Sequence, residues 1–223
     1  GVSIGAGALA PGLPTVPGIW VNRHGQRFLN EEAHYAYAMR AIFDQEEHLA
    51  WAIFDDTIAQ LGGTVIGGIW GAWSEDLSEE IASGLVVRAD TIADLASSIG
   101  VNGGELQRSV SQWNADCVGG ADTVFGKSVG LQALETGPYY AVQVTSVNLG
   151  TCGGLKIDES TRVIDLYGQP IPRLYAAGMV AGGFIGPYYP GSGTAILSTV
   201  VLGRLAGKTG AAESSLEPVK KLV

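Results

Sequence analysis

Basic charge is scarce in this chain. Its 223 residues carry 13 Lys and Arg against 22 Asp and Glu, a formal charge of −9. The few cations are scattered, so the basic footprint that a nucleic-acid backbone demands is missing, and nucleic acid is excluded as a partner. Long apolar runs are absent too: none reaches the ~18 residues of a membrane span. The opening GVSIGAGALAPG lacks the basic start of a secretory signal, which makes a soluble cytoplasmic protein the default expectation, although an export signal upstream would change it. Cysteine occurs twice, as Cys117 and Cys152, without metal-ligand spacing. Both are expected to act as small apolar fillers rather than as a disulfide framework. His24, His34 and His48 share no metal spacing either, and are expected to be surface or structural residues, so no metal site is assigned.

Apolar residues and glycine are plentiful. An apolar content of 46% suffices for a packed core, and 33 glycines, about twice the usual ~7%, mark tight turns and close backbone approaches because they follow no repeat. Residues 1–18, rich in Gly and Pro, suit an extended connector. GAGALA within it superficially fits a dinucleotide-binding fingerprint, but too few residues precede it for a strand and Pro11 stops the helix that should follow. From residue 19 to 136 the pattern is α+β. IWVN and RFLN flank a glycine turn as a hairpin, a helix begins after Glu31, AIFD is a short strand, and helices follow over 75–83, 91–99 and GGELQRSVSQWNADCVGG, with acidic or Thr caps on the first two. From 137 to 212 short β runs (YYAVQVTSV, GGLKID, RVIDL, RLYAA) lead into a long helix, GTAILSTVVLGRLAGKTGAA. Residues 213–223 are expected to be a flexible tail.

The ordered motifs VNRHGQRFLNEE, GPYYAV, TCGGLKID, GQPIPRLYAAG, YPGSGTAI and VLGRLAG resemble the C-terminal part of the fumarate reductase and 3-ketosteroid dehydrogenase family of FAD-dependent oxidoreductases. The resemblance implies a cap domain over 19–136 and, over 137–212, the returning strands and helix of a Rossmann-like FAD-binding domain. The strand, GxGxxG turn and helix with which family members begin are not in this sequence. The chain is therefore expected to be a fragment, with the N-terminal Rossmann portion on the same polypeptide or on a partner chain. FAD is the implied cofactor. Its implied contacts are Gly153 and Gly154 of TCGG, Ala177, Gly178 and Met179 at the end of LYAAG, and Ser192, Thr194, Ala195 and Ile196 at the helix start. Met179 stands where the family usually has an acidic residue, so only backbone contact is expected there. The first N–H groups of the last helix, at its positive end, suit a flavin edge that gains negative charge on reduction.

The resemblance also ranks substrates. Fumarate reductases bind a dicarboxylate through a histidine before the double glycine and an arginine before the last helix; here the first place is Gly150 and the turn YYPGSG has no cation. The 3-ketosteroid dehydrogenases are more similar, with a YPGxG turn and a tyrosine shortly after the Asn-Glu of the hairpin. By that resemblance Tyr189 and the Gly193 N–H hold a substrate carbonyl oxygen, Tyr35 moves a proton beside it, and Arg27 tunes Tyr35. The alternative for Arg27 and Glu31 is a hairpin ion pair of little weight. The expected function is hydrogen transfer across a carbon-carbon bond next to a carbonyl in an apolar enone or steroid. A fumarate reductase or succinate dehydrogenase type of flavoprotein, and a non-catalytic interaction domain on the same scaffold, are the alternatives.

Overall fold

The computed structural model describes residues 18–62, 73–145, 150–187, 189–191 and 193–214. The expected connector and tail lie almost wholly outside these residues. The chain divides into two compact units, residues 1–147 and 148–223.

The first unit is built on an antiparallel sheet of order β1-β2-β4-β3: β1 Ile19–Val21, β2 Leu49–Asp55, β3 Val86–Ala89 and β4 Tyr139–Thr145. β2 and β4 pair along their whole length, from Leu49 opposite Thr145 to Asp55 opposite Tyr139. Their apolar side chains, with Phe54 stacked on Tyr140 at 5.3 Å, form the centre of the core. The helices are α1 Tyr35–Phe43, α2 Asp56–Ala59, α3 Ser78–Ala82, α4 Ile92–Ile99 and α5 Gly103–Gly119. Local chemistry sets their ends. The Thr91 hydroxyl accepts the Asp94 N–H at the start of α4, the Asn102 side chain accepts the Glu105 N–H at the start of α5, and the two helices stop at left-handed Gly100 and Gly120. On α5 Leu106, Val110 and Trp113 fall on one face and all are buried. Asp55, at the end of β2, is buried and accepts N–H groups from Ile58, Glu135 and Thr136, which ties α2 and the segment before β4 to the sheet.

Three expectations change. The IWVN/RFLN hairpin is reduced to one bridge, Val21 to Arg27, because the Asn22 side chain takes the N–H groups of His24 and Gln26 and β1 pairs with Trp51–Ile53 instead. The helix expected over 75–83 begins at Ser78, after left-handed Leu77, without a side-chain cap. The division expected at 136/137 falls at 147/148, since β4 is hydrogen-bonded to β2 on one side and β3 on the other and cannot leave that sheet.

The second unit has less to hold it. β5 Leu155–Lys156 pairs in parallel with β8 Ala181–Gly182, β6 Arg162–Ile164 pairs antiparallel with β7 Pro170–Tyr175, and a bridge from Ile157 to Val163 links the two ladders. Aspartates shape the turns. Asp158 accepts the N–H groups of Ser160 and Arg162, and Asp165 those of Tyr167 and Gln169. A short turn of 3-10 helix, Gly178–Val180, precedes β8, and α6 runs over Thr194–Ala212. The buried apolar cluster is Val163, Ala176 and Ala181, with Ile157 and Leu202 against it. On α6 Ile196, Leu197, Val200 and Val201 are each more than half exposed.

Candidate cofactor and substrate site

In the second unit the chain entering β5 and the end of β8 approach so closely that a side chain on Gly154 or Gly182 would strike backbone. A Cβ on Gly154 would lie 2.4 Å from the Val180 oxygen, and one on Gly182 would lie 2.1 Å from the Gly154 nitrogen. Packing of these two strands therefore requires Gly154. Gly153 differs, since nothing stands within 4 Å of its Cβ position. Beside it opens a cavity of about 450 Å³ lined by Gly153, Gly154, Lys156, Ile157, Gly182, Gly183 and Phe184. A wall of bare backbone with one aromatic ring and one cation admits a flat, anionic group, and in this respect the residues fit FAD. Lys156 and Phe184 carried no signal in the sequence beyond their place near TCGG.

The turn at Ala177, Gly178 and Met179 is held differently. Gly178 is buried in a left-handed conformation, and a Cβ there would lie 2.9 Å from the Thr199 hydroxyl of α6. The Met179 thioether reaches over Gly150: a Cβ on Gly150 would lie 1.6 Å from its terminal methyl carbon. Position 150, where a fumarate reductase is expected to carry a histidine, is thus covered by an apolar group.

At the start of α6 two of the free N–H groups are used within the turn. Gly193, left-handed at φ 93°, ends it. The Thr194 N–H donates to the Gly191 carbonyl at 3.3 Å and the Ala195 N–H donates to the Tyr189 hydroxyl oxygen at 2.9 Å. Two amides expected to face the flavin edge are therefore engaged, one of them by the tyrosine expected to grip a ketone. The structure brings Tyr189, Gly193, Thr194 and Ala195 together. Ile196 is 72% exposed, and Ser192 lies outside the described residues.

In the first unit Arg27, expected to tune Tyr35, is held more tightly than the alternative of a weak hairpin ion pair implies. Its side chain is 7% exposed and that of Glu31 is fully buried. The guanidinium donates twice to Glu31 and once to Asp122, each at 2.8 Å, and lies over the rings of Trp113 and Phe125. The buried Lys127 ammonium stands 3.5 Å from Glu31 and donates to the Gly18 carbonyl. Two cations face two carboxylates. Burial works against the charge of Arg27, but Glu31 and Asp122 more than offset it and raise its pKa. Burial also opposes the charge on Asp122, yet Arg27 and the N–H groups of Lys127, Phe125 and Val124 hold that carboxyl well below the usual range. Burial lowers the Lys127 pKa against the pull of Glu31. Sequence reasoning missed Asp122 and Lys127, which lie far from Arg27 along the chain. Tyr35 is the first residue of α1, half-buried, with its ring stacked on His34. Among the described residues no group of His, Cys, Asp and Glu is arranged to hold a metal, and no helix is long and apolar enough to cross a membrane.

Known proteins are similar to this chain in sequence and in fold. The FAD binding domain family matches residues 3–196. A probable fumarate reductase of Shewanella frigidimarina is 36% identical over 196 residues, which cover 88% of this chain and 31% of that protein. A 4-oxocyclohex-2-ene-1-carboxylate 5-dehydrogenase of Sinomonas cyclohexanicum is 31% identical over 219 residues, 89% of this chain and 36% of that one. The structure of a 3-ketosteroid delta1-dehydrogenase from Sterolibacterium denitrificans superposes with a TM-score of 0.71 at 28% identity, covering 88% of this chain and 39% of that one. The chain thus spans about a third of the length of these relatives. With the motif order and the glycine-lined site they share a single explanation: the chain belongs to the FAD binding domain family, in the group of fumarate reductases and 3-ketosteroid dehydrogenases.

Proposed function

We propose that the chain is the substrate-cap and returning cofactor-domain part of an FAD-dependent oxidoreductase that adds or removes hydrogen across a carbon-carbon bond conjugated to a ketone. The observation that carries this reading is the Tyr189 hydroxyl held on the first turn of α6 by the Ala195 N–H. An N–H fixed on the phenol oxygen orients it and, by polarising the O–H bond, makes that hydroxyl a stronger donor toward a carbonyl oxygen. The Gly193 N–H is the second donor of the pair. Polarising the ketone acidifies its α-carbon, and Tyr35 takes or returns the α-proton. When bound, FAD supplies the two-electron exchange at the neighbouring carbon. Gly153 and Gly183 would wall its ring system, Lys156 would offset the negative charge that the ring gains on reduction, and the positive end of α6 would favour the reduced form. Gly154 and Gly178 act through packing, and Ala177 and Met179 shape the turn. The nucleotide half of the cofactor is assigned to an N-terminal Rossmann portion on the same polypeptide or a partner chain, which also covers the exposed apolar side of α6.

Reduction of a dicarboxylate is the second reading, favoured by the 36% identity to a probable fumarate reductase. Against it stand the missing cations and the Met179 methyl over Gly150, which would leave a carboxylate desolvated and unpaired. Anaerobic titration of the full-length, FAD-loaded protein separates the two. Electron exchange between the flavin and testosterone is expected; reoxidation of the reduced flavin by fumarate alone would reverse the assignment.

A further inference from the structure

We propose that His34 is a positioning residue for Tyr35, an inference that rests on the proton-transfer role given to Tyr35 above. His34 is the N-cap of α1, where its Nδ1 accepts the Ala36 N–H at 3.3 Å. In that bond Nδ1 is the acceptor. The cap thereby fixes the plane of the imidazole. The face of this fixed ring lies against Tyr35, with centroids 4.2 Å apart and planes 30° from parallel, while the edge of Tyr37 closes on it at 6.3 Å and 77°.

Tyr35 sits at the first position of its helix, where no preceding turn confines χ1, so the orientation of its phenol depends on what its ring packs against. One side of its ring is clamped by a neighbour that is itself held by a backbone hydrogen bond. Arg27, expected to serve Tyr35, directs its guanidinium at Glu31 and Asp122. His34 supplies what Arg27 does not, through ring contact rather than charge.

The two halves of this device separate by substitution in the full-length, FAD-loaded protein. His34→Asn keeps a cap acceptor and removes the ring; His34→Phe keeps a ring and removes the cap; His34→Ala removes both. The readout is enzyme-catalysed deuterium uptake from solvent at the α-carbon of testosterone, with kcat and KM measured separately and Tyr35→Phe alongside. His34→Asn is expected to slow uptake and kcat about two- to tenfold, the range of one aromatic contact, with KM and melting temperature unchanged. His34→Phe is expected to recover most of the uptake lost in His34→Ala. Wild-type uptake in His34→Asn, or equal impairment of His34→Phe and His34→Ala, would overturn the positioning role while leaving Tyr35 in place. Undiminished uptake in Tyr35→Phe would instead remove the reading of Tyr35 on which the inference stands.

Discussion

The two units solve the problem of burial in opposite ways. The first encloses large side chains completely, Trp20, Phe54 and Trp113 among them, each worth roughly 1.5–3 kcal/mol when removed from water. It also encloses a neutral cluster of four charges whose hydrogen bonds cross from the chain near residue 27 to that near 122. Among its described residues the second unit buries three apolar side chains as its centre and leaves one side of a nineteen-residue helix exposed. An apolar helix surface of this kind seeks a cover. The unit proposed to bind substrate thus closes its own core, whereas the part proposed to touch the cofactor leaves apolar surface open.

Separating the units gives the largest expected effect. Residues 18–147 alone are expected to melt in one cooperative calorimetric transition. Residues 148–223 alone are expected to show none and to bind a hydrophobic dye; a sharp transition in that piece would dissolve the contrast. Within the first unit Glu31→Ala leaves Arg27 and Lys127 buried without their shared carboxylate and should cost about 3–5 kcal/mol in urea unfolding. By comparison Leu197→Ser, on the open side of α6, should change the stability of this chain by less than about 0.5 kcal/mol.

Asp122 sharpens the comparison through pH. Its folded-state pKa is depressed, so its stabilising contribution is fully present above the unfolded value near ~3.9 and is lost as pH falls through the folded one. The penalty of Asp122→Asn should therefore stay constant from neutral pH down to about 4 and shrink below it. Thr91→Ala, which removes the cap of α4, should cost about 1 kcal/mol. The smallest effect concerns Cys117. Burial pushes its thiol up to about 11, so alkylation at neutral pH should be much slower than that of an exposed thiol.

Elements set by local chemistry were legible in the sequence. Thr91 marks the start of α4, the glycines at the ends of GGELQRSVSQWNADCVGG mark α5, and the turns at Asp158 and Asp165 delimit the short strands of the second unit. Features set by distant contacts were not. Nothing in VNRHGQRF announces that Arg27 meets Asp122, or that IWV pairs with β2 in preference to its own return limb. The site was half legible: YPGSGT marks the start of α6, but that the Ala195 N–H goes to Tyr189 is a matter of turn geometry. The two glycines of TCGG look alike as letters and separate only when the β8 backbone is seen against Gly154 and not against Gly153.

The most direct measurement is a crystal structure of the full-length protein with FAD and testosterone bound. The account expects the Tyr189 hydroxyl within hydrogen-bonding distance of the steroid ketone, Gly153 against the isoalloxazine ring, and Tyr35 at the α-carbon. A flavin remote from the α6 N-terminus, or a ketone that meets neither Tyr189 nor Gly193, would contradict it.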